Sequence, residues 1–156
     1  MKAKSPYLNA AFFCEKALLE QDGVGSAIRI FDKLLVRKLS GNDEGADVVP
    51  ITLMIILKSG DYRGKASITV IPYRPSGTER PALKLDVVFP DQPNSGANVV
   101  GTINLSPTEE GVYWFDVLLN DELITRVPLE IQLAPSQKPS LPPSPKQETS
   151  AGQKKQ

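Results

Sequence analysis

Two carboxylates, Glu15 and Asp32, flank the turn signal Gln21-Asp22-Gly23-Val24. If Asp22 and Gly23 close a two-residue hairpin, opposed residue numbers sum to 45, which sets Ile30 against Glu15 and Asp32 against Phe13. Both carboxylates then lie diagonally on one face, about 7–8 Å apart at the backbone. A pair so placed can hold a divalent cation or act as acid and base. Each can equally stand on a solvated face among lysines and arginines, or end an apolar run at a sheet edge. No third oxygen-rich ligand accompanies Glu15 and Asp32, and no cofactor is expected.

Little other chemistry is available. The 156 residues include no His and a single Cys, Cys14, which removes Ser-His-Asp and Cys-His catalysis, His-based zinc sites and internal disulfides. Cys14 lies among Phe12, Phe13 and Leu18, so it reads as a buried, inert thiol. The loops GNDEGAD (41–47) and PDQPNSG (90–96) share composition with calcium loops but not their ligand spacing. Gly23-x-Gly25 lacks the third glycine and the helix of a nucleotide fingerprint. The chain is expected not to be an enzyme.

Formal charge balances at 18 Lys+Arg against 18 Asp+Glu, yet Lys138, Lys146, Lys154 and Lys155 make the C-terminal segment positive and leave a mildly acidic body. Such a body does not supply the basic stripe that nucleic acid requires. At the N-terminus the apolar run after the first lysines is stopped by Glu15 and Lys16, too soon for a secretory signal. A cytoplasmic protein with a reduced thiol is expected, with no membrane or nucleic-acid partner.

The elements that must position these side chains are strands. Ile51, Leu53, Ile55 and Leu57 alternate before a turn at 59–64; Ala66, Ile68 and Val70 follow, then Leu83, Leu85, Val87 and Phe89, then 99–105. Pro50, Pro72, Pro81, Pro90 and Pro107 fall at the ends of these runs, where a sheet tolerates them. Residues 9–22 have good local helix propensity, but the Asp-Gly turn and the β-rich run 24–36 favour a long hairpin. Beyond Leu133 the chain is rich in Pro, Ser, Gln and Lys, with Leu141 the one large apolar residue, and is expected to be disordered. Its stretch 139–145 has PxxP spacing that can serve as a polyproline II ligand.

The most legible stretch is 109–133. One strand alternates Tyr113, Phe115, Val117 and Leu119 against Val112, Trp114, Asp116 and Leu118, and the next carries Val127, Leu129 and Ile131 on one face. A two-residue Asn120-Asp121 loop gives pairs summing to 241 and opposes Arg126 to Phe115, whereas a three-residue loop gives 242 and opposes Phe115 to Val127, Tyr113 to Leu129 and Asp116 to Arg126. The second register matches apolar to apolar and is the one expected. Trp114 then stands outside the core face with Val112 and Leu118, faced by Pro128 and Ile124, as a candidate interface anchor.

Glu109-x-Gly111-x-Tyr113-x-Phe115 resembles the acidic-Gly-Tyr motif on the penultimate strand of immunoglobulin-like sandwiches. That resemblance implies a Tyr113 hydroxyl bonded back to the preceding corner, with Phe115 in place of the disulfide Cys. The stretches FFCEKALLEQDGVGSAIRIFDKL and GVYWFDVLLNDELITRVPLEI together resemble a bacterial family known only as domain of unknown function 6941, which implies a fold and no mechanism.

The sequence therefore reads as an all-β, immunoglobulin-like sandwich of about eight strands over residues 1–133, followed by a disordered tail, 134–156. The expected role is a non-enzymatic binding or assembly module acting through strand edges, the Trp114 patch or the tail. The alternatives are a metal-dependent or carboxylate-based enzyme centred on Glu15 and Asp32, and a homo-oligomeric structural subunit.

Overall fold

The computed structural model describes residues 5–37, 48–77, 81 and 83–134. Among these residues there are nine strands: β1 (Tyr7–Leu19), β2 (Gly25–Phe31), β3 (Lys33–Arg37), β4 (Val49–Lys58), β5 (Gly64–Tyr73), β6 (Leu83–Phe89), β7 (Gly96–Leu105), β8 (Gly111–Leu119) and β9 (Glu122–Ala134). The stretch 9–22 is thus strand and turn despite its helix-forming residues, because β1 gains β4 on one side and β2 on the other. Strand pairing and burial override local propensity here. The ninth strand arises because the run 24–36 breaks at Asp32.

That break moves the chain between layers. One sheet has the order β2-β1-β4-β7 and the other β3-β9-β8-β5-β6. After Asp32, β3 leaves the first sheet and runs parallel to β9 in the second, with Lys33 opposite Glu130 and Val36 opposite Leu133. The Glu130 N–H donates to the Asp32 carbonyl at 2.8 Å, which pins the crossover.

The expected core faces meet between the sheets. Ile51, Leu53, Ile55 and Leu57 from β4 and Ala66, Ile68 and Val70 from β5 are buried with Phe89, Ile103, Tyr113, Phe115, Val117, Leu129 and Ile131 in one cluster. Full burial of one such aliphatic side chain is worth about 1.5–3 kcal/mol, so this alternation is the main cohesive term. Pro128 lies inside β9 opposite Trp114. It is tolerated because β3 joins β9 only from Glu130 onward, leaving the Pro128 nitrogen at an open edge.

The β8–β9 hairpin has the expected pairs Tyr113–Leu129, Phe115–Val127 and Asp116–Arg126, but not the expected loop. Asn120 and Asp121 have φ of 49° and 64°, a two-residue turn of type I′. Leu118 pairs with Leu123 and Leu119 with Glu122, and a bulge between Val117 and Leu118 restores the sum of 242 over the rest of the strands. Both registers considered from the sequence therefore occur, one on each side of the bulge. The predicted boundary at Leu133 falls one residue before the end of β9, and the tail with its PxxP segment lies outside the described residues.

Candidate functional site

The N-terminal hairpin corrects the carboxylate pairing. Val24 N–H donates to Asp22 Oδ1 at 3.0 Å, Gly23 N–H donates to the Glu20 carbonyl at 2.9 Å, and Glu20 N–H donates to the Val24 carbonyl at 2.8 Å. Within the turn Gly23 alone takes a left-handed conformation, at φ 82°. One left-handed residue closing a turn makes a three-residue loop, and opposed pairs sum to 44 rather than 45, as in Cys14 with Ile30 and Phe13 with Phe31. A one-residue slip reverses which face a side chain takes, so Asp32 loses its place diagonal to Glu15.

Glu15 instead meets Arg29, with Nη1 3.0 Å from Oε2 and both side chains largely in solvent. Asp32 lies at the crossover between the sheets. The structure thus does not bring the two predicted residues together as a site. Among the described residues no three Cys, Asp or Glu side chains converge in a way that could hold a metal ion.

A cleft of about 430 Å³ opens nearby, lined by Cys14, Glu15, Arg29, Ile30, Leu35 and Pro50 among others. Its charged groups are already engaged, Arg29 with Glu15 and Lys33 with Glu130 at 3.2 Å. Cys14 is 1% exposed, and burial pushes its thiol above the usual cysteine pKa. It is therefore a protonated packing residue and a poor nucleophile. In the 90–96 loop Asp91 faces Arg63 at 3.5 Å, and Asn94 N–H donates to the Gly60 carbonyl at 3.0 Å. That loop braces the neighbouring β4–β5 turn. The 41–47 loop lies outside the described residues.

The outer face of the five-stranded sheet is different in kind. Trp114 is 44% exposed and Val112 39%. Across the strands Trp114 stands between Tyr73 of β5 and Pro128 of β9. The next row sets Ile71, Asp116 and Arg126 side by side. Arg126 grips Asp116 with two nitrogens, Nε 2.7 Å from Oδ1 and Nη2 3.1 Å from Oδ2. The first contact is an ion pair off the hydrogen-bond line, yet the pair holds a 5%-exposed aspartate beneath a largely exposed guanidinium.

Of the four predicted patch residues, Val112, Trp114 and Leu118 keep their places. Ile124 does not: it is the bulged residue and packs against the core, and Leu123 takes the position opposite Leu118 with 49% exposure. Tyr73 escaped notice because only the pairing of β5 with β8, which are distant in sequence, sets it beside Trp114.

The corner at the start of β8 follows the motif residue by residue. The Tyr113 hydroxyl donates to the Glu109 carbonyl at 3.0 Å, and burial raises the phenol above its ordinary pKa. The Ser76 hydroxyl and N–H both donate to the Glu109 carboxylate. Gly111 has φ 132°, and a Cβ there would come 2.9 Å from the Pro75 ring. Two packed sheets, a parallel β3–β9 edge pair and this tyrosine corner define an immunoglobulin-like β-sandwich.

Among solved structures the chain is similar to an immunoglobulin-like protein from Pseudomonas aeruginosa, at 11% identity, covering 85% of this chain and 100% of that one, with a TM-score of 0.39. No family model matches the sequence, and no curated protein matches it.

Proposed function

We propose that this protein is a non-enzymatic binding or assembly module of a bacterial cytoplasm, and that a partner protein docks on the outer face of the five-stranded sheet around Trp114. The observation that carries the reading is the row Tyr73–Trp114–Pro128 lying against the Asp116–Arg126 pair. Trp, Tyr and Arg are the residues that dominate interface energies, and here a rigid sheet presents them together with little side-chain freedom left to lose. The resemblance to the unknown-function family 6941 rests on the two hairpins and adds no activity to this reading.

The test is affinity recovery from the native host with the full chain, a Trp114→Arg chain and a chain ended after Leu133. A specific protein should copurify with the wild type and with the shortened chain and be lost from Trp114→Arg at equal thermal stability. Recovery of the same protein by Trp114→Arg in equal amount removes this face from consideration.

A further inference from the structure

Among the described residues the strand β6 is hydrogen-bonded to β5 alone and forms one edge of the five-stranded sheet. Leu83 and Leu85 turn inward, where they pack over Gly101 of β7, yet both remain half-buried. Lys84, Asp86 and Val88 turn outward, and Val88 is 69% exposed. An unpaired edge with an exposed valine is a template for another strand.

We propose that β6 pairs antiparallel with β6 of a second copy, about a two-fold axis through Leu85, joining two sheets into one of ten strands. The argument is one of register. Inward residues must meet inward residues, so opposed numbers must sum to an even value. A sum of 168 sets Lys84 against its own copy and 172 sets Asp86 against its own copy, and like charges directly opposed are unfavourable.

The sum of 170 sets Leu85 on Leu85 and Leu83 on Val87, and it crosses Lys84 with Asp86 twice. A sum of 174 leaves Lys84 without a charge partner and shortens the overlap. Within its own chain Asp86 already lies 2.8 Å from Lys65. In the dimer it stands between two lysines. Because the axis is perpendicular to the sheet, both Trp114 faces fall on the same side, five strand spacings or about 24 Å apart across the sheet. They lie farther apart along the strands, since Tyr73 beside Trp114 lies five residues beyond Ile68, the partner of Leu85. The pairing itself does not depend on that face having a partner.

Sedimentation equilibrium of the full chain tests it. The wild type should dimerise. Lys84→Asp alone and Asp86→Lys alone should each weaken the dimer ~10-fold or more, since each replaces two attractive crossings by two repulsive ones. An equimolar mixture of the two single variants should regain wild-type association, because every crossing again joins opposite charges. The double swap Lys84→Asp/Asp86→Lys should dimerise like the wild type and guards against misfolding of either single variant. A monomeric wild type, single variants as tightly associated as the wild type, or a mixture and double swap no tighter than the singles would each overturn the pairing.

Discussion

The ring of Phe13 on β1 meets the ring of Phe115 on β8 edge-on, with centroids 4.8 Å apart and planes at 68°. The two strands belong to different sheets, so this contact spans the sandwich at the position where the immunoglobulin motif places a disulfide cysteine. A packed aromatic pair does here, without oxidation, part of what a covalent bridge does elsewhere. Phe13 also stacks on Phe31 at 6.5 Å, which ties the start of the crossover to the same point.

Phe115→Ala should therefore cost about 3–5 kcal/mol, since it empties a fully buried aromatic site. A double-mutant cycle with Phe13→Leu, read by urea unfolding, should return a coupling of about 0.5–1.5 kcal/mol. Additive losses would mean the edge-on geometry contributes nothing beyond burial.

The tyrosine corner predicts a pH dependence. Burial raises the folded-state pKa of Tyr113 above its ordinary value, so its contribution is fully present below pH ~10 and is lost as pH rises from there through the folded pKa. Tyr113→Phe should cost about 1 kcal/mol at neutral pH through the lost hydrogen bond, and should flatten the decline above pH ~10. Equal slopes in the two proteins, measured by urea midpoints across that range, would show that Tyr113 is not the titrating group.

Asp121 is held at φ 64° in the second position of the β8–β9 turn. Glycine accepts that conformation without steric cost. Asp121→Gly should stabilise the protein by about 0.5–1 kcal/mol and raise the melting temperature. A lower melting temperature would mean that the aspartate side chain contributes something its backbone geometry conceals.

The Glu15–Arg29 pair is solvent-exposed, and such pairs contribute little. Glu15→Gln with Asp32→Asn should shift stability by no more than about 0.5 kcal/mol. Titration with Mg²⁺, Ca²⁺ or Mn²⁺ should leave the melting temperature of the wild type where it was. Stabilisation by one of these ions in the wild type and not in the double variant would restore the carboxylate site.

Much of the sheet architecture was legible because its signals are local. The alternation in 51–57, 83–89 and 113–119 marks one face of each strand as core, and those faces turn inward, fully buried in 51–57 and 113–119 and half-buried at Leu83 and Leu85. The parity argument for Asp116 and Arg126 worked because apolar residues on both strands of one hairpin constrain the same register. The candidate site was less legible. Asp22-Gly23 suits a loop with two left-handed residues or with one, and residue types do not distinguish them.

From its sequence alone this chain determines that it is built of strands, which side of most strands is apolar, and that it lacks the residues of familiar catalysis. Tertiary structure alone decides that Glu15 faces Arg29 and not Asp32, that Tyr73 stands beside Trp114, and that β6 is left as an edge. Alternation fixes the side of a strand on which a residue lies. The neighbouring strand is chosen by contacts summed across the whole chain, and a single turn residue at positive φ moves every pairing beyond it by one.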